Sequence, residues 1–256
     1  MDPQLHIVHE DSELLVVNKP ADLVCHPTKG DAWSSLIGRV RLHLGDNHLP
    51  QLINRLDRET SGLVVVAKTA PRARELRRLW ESRQVRKEYL ALVRGVPEPR
   101  SGAIEAPLGR DEQSPVAIKD CVRPDGAAAR TQFQVEATFR RPEGEFALLR
   151  VFPATGRKHQ IRIHLAHLGH PIVGDKLYGG DEQCYLALVE RRLTAAQRAW
   201  LLLPHQALHA GRLAWNWAGV ERTFSAEPEP WFEAFQRGEP LPLAEFGSAS
   251  TDRTPG

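Results

Sequence analysis

Short apolar runs alternate with polar punctuation along the first half of the chain. Leu5-His6-Ile7-Val8-His9 and Leu14-Leu15-Val16-Val17-Asn18 read as strands on either side of the turn-forming Glu10-Asp11-Ser12, and Lys19-Pro20 ends the second. Thr28 to Asp31 reads as a loop. Ala32 to Leu44 predicts a helix, because Leu36, Ile37, Val40 and Leu44 recur on one face, and Gly45-Asp46-Asn47 stops it. Leu63-Val64-Val65-Val66-Ala67 is uninterrupted and apolar, the signature of a buried strand. Thr69 is placed to cap a helix to about Gln84, with Pro71 in its first turn and Ala73, Leu76, Leu79 and Trp80 turned inward. Glu88 to Val93 is the next strand, and alternation puts Tyr89, Ala91 and Val93 on one face.

Residues 96–130 are rich in proline, glycine and charge, so apart from a strand at Ala103 to Leu108 they read as loops that can lie over a substrate. Strands resume at Thr131 to Val135 and Phe146 to Val151, joined by a turn at Pro142-Glu143-Gly144. Thr155-Gly156 opens a predicted helix to Leu168, with Ile161, Leu165 and Leu168 as its core stripe and Arg162 beside it. A loop at Tyr178-Gly179-Gly180, a helix near Thr194 to Leu202, strands near Gln206 to Ala210 and Val220 to Ala226, and a short helix near Trp231 to Phe235 complete the pattern. Many short strands with a few interspersed helices predict an α+β fold around a mixed, largely antiparallel sheet flanked by helices. One domain is expected over residues 1–237. Residues 238–256 lose periodicity and gain Pro, Gly and Ser, which predicts a disordered tail.

Composition narrows the class without choosing a function. With 256 residues, 41% of them hydrophobic and 26% charged, the chain can bury a substantial core. The net charge is only +2, but its distribution is uneven: Arg72, Arg74, Arg77, Arg78, Arg83, Arg86 and Lys87 crowd one span. That span is either a phosphate-contacting face or a solvated helix face with internal Arg–Glu pairs. Cys25, Cys121 and Cys184 are odd in number and widely separated, which fits a reducing cytoplasm and suggests neither disulfides nor a cysteine zinc site. Neither a leader nor an apolar run of membrane-spanning length is apparent, so a cytoplasmic protein without a membrane partner is expected.

The chemistry concentrates at Arg55-Leu56-Asp57-Arg58-Glu59-Thr60-Ser61-Gly62, a polar turn directly before the apolar run. Two flanking arginines favour an ionised carboxylate, and an ionised Asp on a rigid support can act as a nucleophile or as the counter-charge of a developing cation. From the residues alone, such a sequence is more often a surface salt-bridge cluster. His159, His164, His167 and His170 do not make a metal site, because no Glu or Cys interleaves at ligand spacing. No metal and no cofactor is expected.

Asn54-Arg55-Leu56-Asp57-Arg58-Glu59-Thr60-Ser61-Gly62-Leu63 resembles the catalytic signature of the RluA-type pseudouridine synthases. Lys87-Glu88-Tyr89-Leu90-Ala91-Leu92-Val93-Arg94-Gly95 resembles the second motif of that family. Thr155-Gly156-Arg157-Lys158-His159-Gln160-Ile161-Arg162 with His170-Pro171-Ile172-Val173-Gly174-Asp175 resembles the third. The order of the three is the family's, and the likeness runs from about Leu5 to about Phe235. Asn54 stands where members usually carry His.

The resemblance implies the pseudouridine synthase fold with a central RNA-binding cleft, and an isomerase that detaches uracil at N1, rotates it and rejoins it through C5. It implies Asp57 as the catalytic carboxylate, either nucleophile at C1′ or base at C2′. Arg162 would pair with Asp57, and Tyr89 would pack on the uracil and could help remove the C5 proton. Arg55 would fill the place of the flipped uridine. Arg157 and Lys158 would bind the substrate, while Gly62 and Gly156 would serve backbone geometry. The partner implied is RNA, transfer or ribosomal, with no DNA, and the protein is expected to be a monomer. No separate RNA-binding module is expected ahead of the catalytic domain. Two other classes remain open: a non-catalytic RNA-binding or chaperone protein on the same scaffold, and a carboxylate-dependent nucleosidase.

Overall fold

The computed structural model describes residues 5–27, 34–45 and 47–239. The loop expected from Thr28, the start of the helix expected from Ala32, and all but the first residues of the expected tail lie outside them.

Strands β1 (His6–Glu10) and β2 (Leu14–Lys19) pair as an antiparallel hairpin. Helix α1 (Leu36–Leu44) starts where the Ser35 hydroxyl accepts the Gly38 N–H, and it ends at Gly45. The two-residue β3 (Gln51–Leu52) leads through the polar loop to β4 (Ser61–Ala67), of which every residue is buried. Helix α2 (Ala70–Glu81) begins after Thr69 as predicted but ends three residues short of Gln84, and the Thr69 side chain makes no capping hydrogen bond; strand β5 (Arg86–Arg94) contains the predicted one.

Residues 96–130 hold more strand than their composition suggests: β6 (Ser101–Glu105), β7 (Leu108–Arg110) and β8 (Asp120–Val122). Strands β9 (Arg130–Arg141) and β10 (Gly144–Pro153) outrun their apolar centres because each supplies ladder partners to the other along its length. Helix α3 (Gln160–His167) opens five residues later than expected. His159 sits at a left-handed φ of 54°, and the Gln160 side chain, not a helical turn, takes up the Arg157 N–H. Leu168 falls beyond this helix and is 36% exposed, so it is not the core residue predicted. Helix α4 (Gln183–Val189) was not anticipated; it packs Cys184 and Ala187 in a small satellite cluster. Helix α5 (Ala195–Leu201) carries a capping box from Thr194 and Gln197. Strands β11 (Leu208–Trp217) and β12 (Val220–Ser225) and helix α6 (Pro230–Gln236) end the described chain.

The main sheet runs β1-β2-β4-β11-β5-β10-β9-β6, with β12 beside β11 and β3 beside β4, while β7 and β8 form a separate ribbon. The sheet is mixed and largely antiparallel, as predicted; β4 and β11 are the parallel pair, joined through His209 opposite Ser61 and Ala210 opposite Gly62. Gly62 has φ +114°, and a Cβ there would lie 2.4 Å from the Ala210 carbonyl oxygen. Only glycine permits this approach. Gly62→Ala should therefore destabilise the protein by about 3 kcal/mol in urea unfolding, from backbone strain and overpacking together.

The sheet carries different partners on its two faces. Leu63, Val65 and Ala67 meet Ala73 and Leu76 of α2 together with Leu213 and Trp215. Val64 and Val66 meet Leu36, Ile37 and Val40 of α1, and Leu56 and Tyr89 join this second cluster. The arginine-rich helix thus lies across the sheet from Leu56. Arg72 of α2 is paired with Glu75 of the same helix and with Glu13, and Arg86 at the start of β5 is paired with Glu221.

Candidate active site

Almost every residue of the loop ahead of β4 is tied down. Asn54 donates from its amide to the Leu63 carbonyl (3.0 Å) and accepts the Val65 N–H (2.8 Å), so it stitches the loop's start to the strand. The Leu56 N–H donates to the Cys25 sulfur and the thiol donates back to the Leu56 carbonyl, both at 3.4 Å. Buried Lys19 donates to the carbonyls of Pro20, Leu23 and Arg58 at 2.8–3.0 Å. Burial lowers its pKa to about 8. Glu59 accepts from Lys176 (2.8 Å), Thr60 accepts from the Gln206 amide (2.6 Å), and Ser61 donates to Nδ1 of His209 (2.9 Å). His209 Nε2 faces the Ala226 carbonyl, which makes Nδ1 the acceptor.

What this leaves projecting is Arg55 and Asp57. Arg58 turns aside to an exposed salt bridge with Asp22 (2.6 Å), and Arg55 is exposed with no ion-pair partner among the described residues. The flanking arginines therefore do not hold Asp57, contrary to the simplest reading of the loop. The cation that does is Arg162 of α3, whose Nη1 donates to Asp57 Oδ2 at 2.9 Å. Its other edge is fixed by Asp175, through Nε to Oδ2 (2.7 Å) and Nη2 to Oδ1 (2.9 Å). Asp175 also accepts the N–H groups of Leu177 and Tyr178, and Tyr178 covers the guanidinium face at 4.9 Å.

Burial works against both charges of this pair, and their mutual attraction overrides it. The Arg162 pKa is pushed down by desolvation but raised on balance by Asp175 and then Asp57. That of Asp175 is pushed up by desolvation but lowered on balance by Arg162 and the two backbone donors. Arg162 is thus a permanently charged, bidentately anchored arm that reaches a half-exposed carboxylate. Asp175 is 0% exposed and Asp57 31%, so one anchors and the other is presented.

Tyr89 lies at the seam of the two clusters that meet under the loop, and burial followed by the Asp57 charge pushes its pKa far above the ordinary value. It stays a phenol and is no ready base in the free protein. Arg157 and Lys158 are exposed on the turn before α3; Arg157 donates to the Ala128 carbonyl and Lys158 pairs with Asp120 at 3.1 Å. Gln160 shapes that turn, accepting from Thr155 and the Arg157 N–H while donating to Arg130 and Thr131. Gly156 shows no steric need for glycine: a Cβ there would meet only the Lys87 Nζ, at 4.0 Å. His164 uses both ring nitrogens, on Thr131 and the Ala106 carbonyl. Among the described residues no cluster of three His, Cys, Asp or Glu side chains could hold a metal ion, and no helix is long and apolar enough to cross a membrane.

Four histidines near or beneath the site, His159, His164, His205 and His209, have pKa values lowered chiefly by burial, His159 from 6.5 to about 4. Below the ordinary value the unfolded chain takes up protons that the folded protein refuses. Stability is therefore complete above that value and falls as pH drops from 6.5 toward 4. Urea titrations across this window should show a progressive loss that a His159→Gln variant makes shallower.

Three residues that organise this site carried little signal in the sequence: Asp175, Tyr178 and Lys19. The first two lie in the segment after Ile172-Val173, and the turn that aims them depends on Gly174, where φ is +80° and a Cβ would come within 2.2 Å of the His205 carbonyl oxygen. Only the Gly-Asp pair within the third motif marked it.

Comparison with known proteins gives the same picture. Residues 13–167 match the family model described as RNA pseudouridylate synthase. An uncharacterized RNA pseudouridine synthase of Chloroflexus aurantiacus is 42% identical over 70% of this chain and 56% of its own length. The ribosomal large subunit pseudouridine synthase D of Vibrio cholerae is 38% identical over 82% of this chain and 62% of its own. The chain thus spans about three fifths of these two relatives. Among solved structures, human RNA Pseudouridylate Synthase Domain Containing 1 superposes with a TM-score of 0.69 at 27% identity, covering 89% of this chain and 84% of that one. A sheet of the same kind, matching sequence along most of the chain and a family model over more than half of it lead to one conclusion: this chain belongs to the RNA pseudouridylate synthase family.

Proposed function

We propose that this protein isomerises uridine to pseudouridine in RNA, with Asp57 as the reacting carboxylate. The observation that carries this is the contrast within one loop: its neighbours are hydrogen-bonded into place, while Asp57 is presented at 31% exposure with a single oxygen fixed by a buried arginine. Breaking the N1–C1′ bond leaves the sugar electron-poor, and a preorganised carboxylate below the ring is the partner such a state needs. A second carboxylate to activate water would favour hydrolysis. Asp175, which shares Arg162 with Asp57, is fully buried and committed to that arginine.

Asp57 serves as nucleophile at C1′ or as base at C2′, and both routes use the same geometry. Tyr89, held protonated by burial, supports the detached uracil as a packing surface and hydrogen-bond donor in preference to a base. The RNA lies over the α1 side of the sheet, in the expected central cleft. There Arg41 and Arg55 come close enough to His26 to help push its pKa down after burial, which marks a positive rim. Arg157 and Lys158, exposed on the turn before α3, contact phosphates as well. Ribosomal RNA is the preferred substrate, by likeness to the relatives named for the large ribosomal subunit. The protein acts in the cytoplasm without a metal or cofactor, as a single catalytic domain over residues 1–237.

The test is incubation with unmodified large-subunit ribosomal RNA and with transfer RNA, followed by nucleoside analysis. Pseudouridine in the ribosomal RNA supports the reading, free uracil would point to a nucleosidase, and unchanged RNA of both kinds would leave a binding protein. Arg55 adds a separable expectation. As the residue that fills the space of the flipped base, it offsets an unstacking cost of about a few kcal/mol. Single-turnover rates of Arg55→Ala should recover when the target uridine is moved to an unpaired, poorly stacked context.

A further inference from the structure

The turn before α3 holds a histidine that the proposed reaction has not yet used. Tyr178 accepts the Asp120 N–H at its hydroxyl oxygen (3.2 Å), so the hydroxyl proton needs an acceptor of its own, and Nδ1 of His159 lies 2.9 Å away. Nδ1 is therefore the unprotonated nitrogen and Nε2 carries the proton. That Nε2–H stands 3.9 Å from Asp57 Oδ2, the oxygen Arg162 already contacts. Oδ1 of Asp57 has no hydrogen-bond partner among the described residues.

The ring has little freedom to be anywhere else. Its side chain is 9% exposed and meets the Tyr178 ring edge-on at 5.6 Å. The backbone beneath it is left-handed, with φ 54°, a conformation uncommon for non-glycine residues. Burial and the Arg162 charge keep the imidazole neutral, with a pKa of about 4. It is thus a neutral donor beside a carboxylate, one that cannot protonate it near neutrality.

We propose that His159 is a positioning residue for Asp57: its Nε2–H closes on Oδ2 beside Arg162 when the substrate binds, so that Oδ1 is the oxygen directed at the sugar. The inference rests on Asp57 being the reacting carboxylate. A gap of 3.9 Å is too long for a hydrogen bond in the free protein, and contacts of this kind commonly tighten in the substrate complex. Tyr178 acts one step further out, fixing the tautomer.

Single-turnover pseudouridine formation, RNA affinity and urea stability would be measured for the wild type, His159→Ala, His159→Asn, His159→Gln and Tyr178→Phe. His159→Ala should lower the chemical rate about 100-fold with RNA affinity within about threefold, the scale of a misplaced reacting group. Gln carries its amide nitrogen where Nε2 lies and should restore most of the rate. Asn fits a left-handed backbone better but reaches only the Nδ1 position, and should not. Nitrogen-15 spectra should show His159 protonated on Nε2 in the wild type and a mixed tautomer in Tyr178→Phe. The proposal is overturned by a wild-type rate in His159→Ala, by Asn rescuing as well as Gln, which would mean a backbone role, or by a proton on Nδ1. A wild type that forms no pseudouridine would instead remove the reading of Asp57 itself, whatever the variants do.

Discussion

Replacing Asp57 with asparagine should abolish isomerisation while leaving RNA affinity within a few-fold of wild type. Asparagine keeps the shape and can still accept from Arg162, so the loop, which is secured through Asn54, Cys25, Lys19, Lys176, Gln206 and His209, should keep its conformation. What would be lost is the negative charge proposed to meet the electron-poor sugar, and preorganised charge is usually the largest single contribution in sites of this type. Affinity should persist because cationic contacts to phosphates, spread over the rim, supply most nucleic-acid binding. Turnover near wild type in the purified variant, checked by unfolding for an unchanged fold, would defeat the assignment.

Arg162→Ala should have two effects, one on the chemical rate and one on stability. Asp57 loses the donor that orients Oδ2, which lowers the chemical rate. Asp175 is left as a fully buried carboxylate without its cation. Breaking a buried pair from one side typically costs about 3–5 kcal/mol, because the remaining charge is uncompensated. The variant should therefore unfold at much lower urea concentration than wild type. Arg162→Ala combined with Asp175→Asn, which neutralises the stranded charge, should recover a good part of the stability and none of the activity. A double variant no more stable than Arg162→Ala alone would mean that the Arg162–Asp175 pair is not what the fold depends on. Unpaired substrate should rescue Arg55→Ala and not Arg162→Ala, since only the former is proposed to act on flipping.

How far the sequence anticipated this molecule depends on whether a feature is written along the chain or only across it. Strands β2 and β4 and helix α2 were legible because apolar periodicity is local, and Ala73 and Leu76 face the core as their spacing required. Arg162 and Asp57 could be named in advance through the family's motifs, and the structure places them 2.9 Å apart although 105 positions separate them. Other features escaped. Helix α3 is buried on nearly every side, Gln160 through Leu165 alike, so an amphipathic stripe could not locate its ends. Strands β7 and β8 are only three residues each and are set by pairing with one another, a signal too short for alternation to show. The third motif contains Asp175 but gave it no role, since its value comes from a turn at Gly174 that aims it back at α3. The side of the sheet on which the arginines of α2 fall was likewise invisible until β4 had two distinct neighbours.

The central claim is that an isomerisation runs through Asp57. It predicts that each turnover exchanges the C5 hydrogen of the target uridine, because C5 becomes bonded to the sugar while the base stays in the site. RNA carrying tritium at C5 of its uridines measures this directly. Wild-type protein should release tritium to water in a one-to-one ratio with pseudouridine formed, with no free uracil, and Asp57→Asn should release none. Uracil appearing in place of pseudouridine, or tritium release that survives Asp57→Asn, would contradict the account.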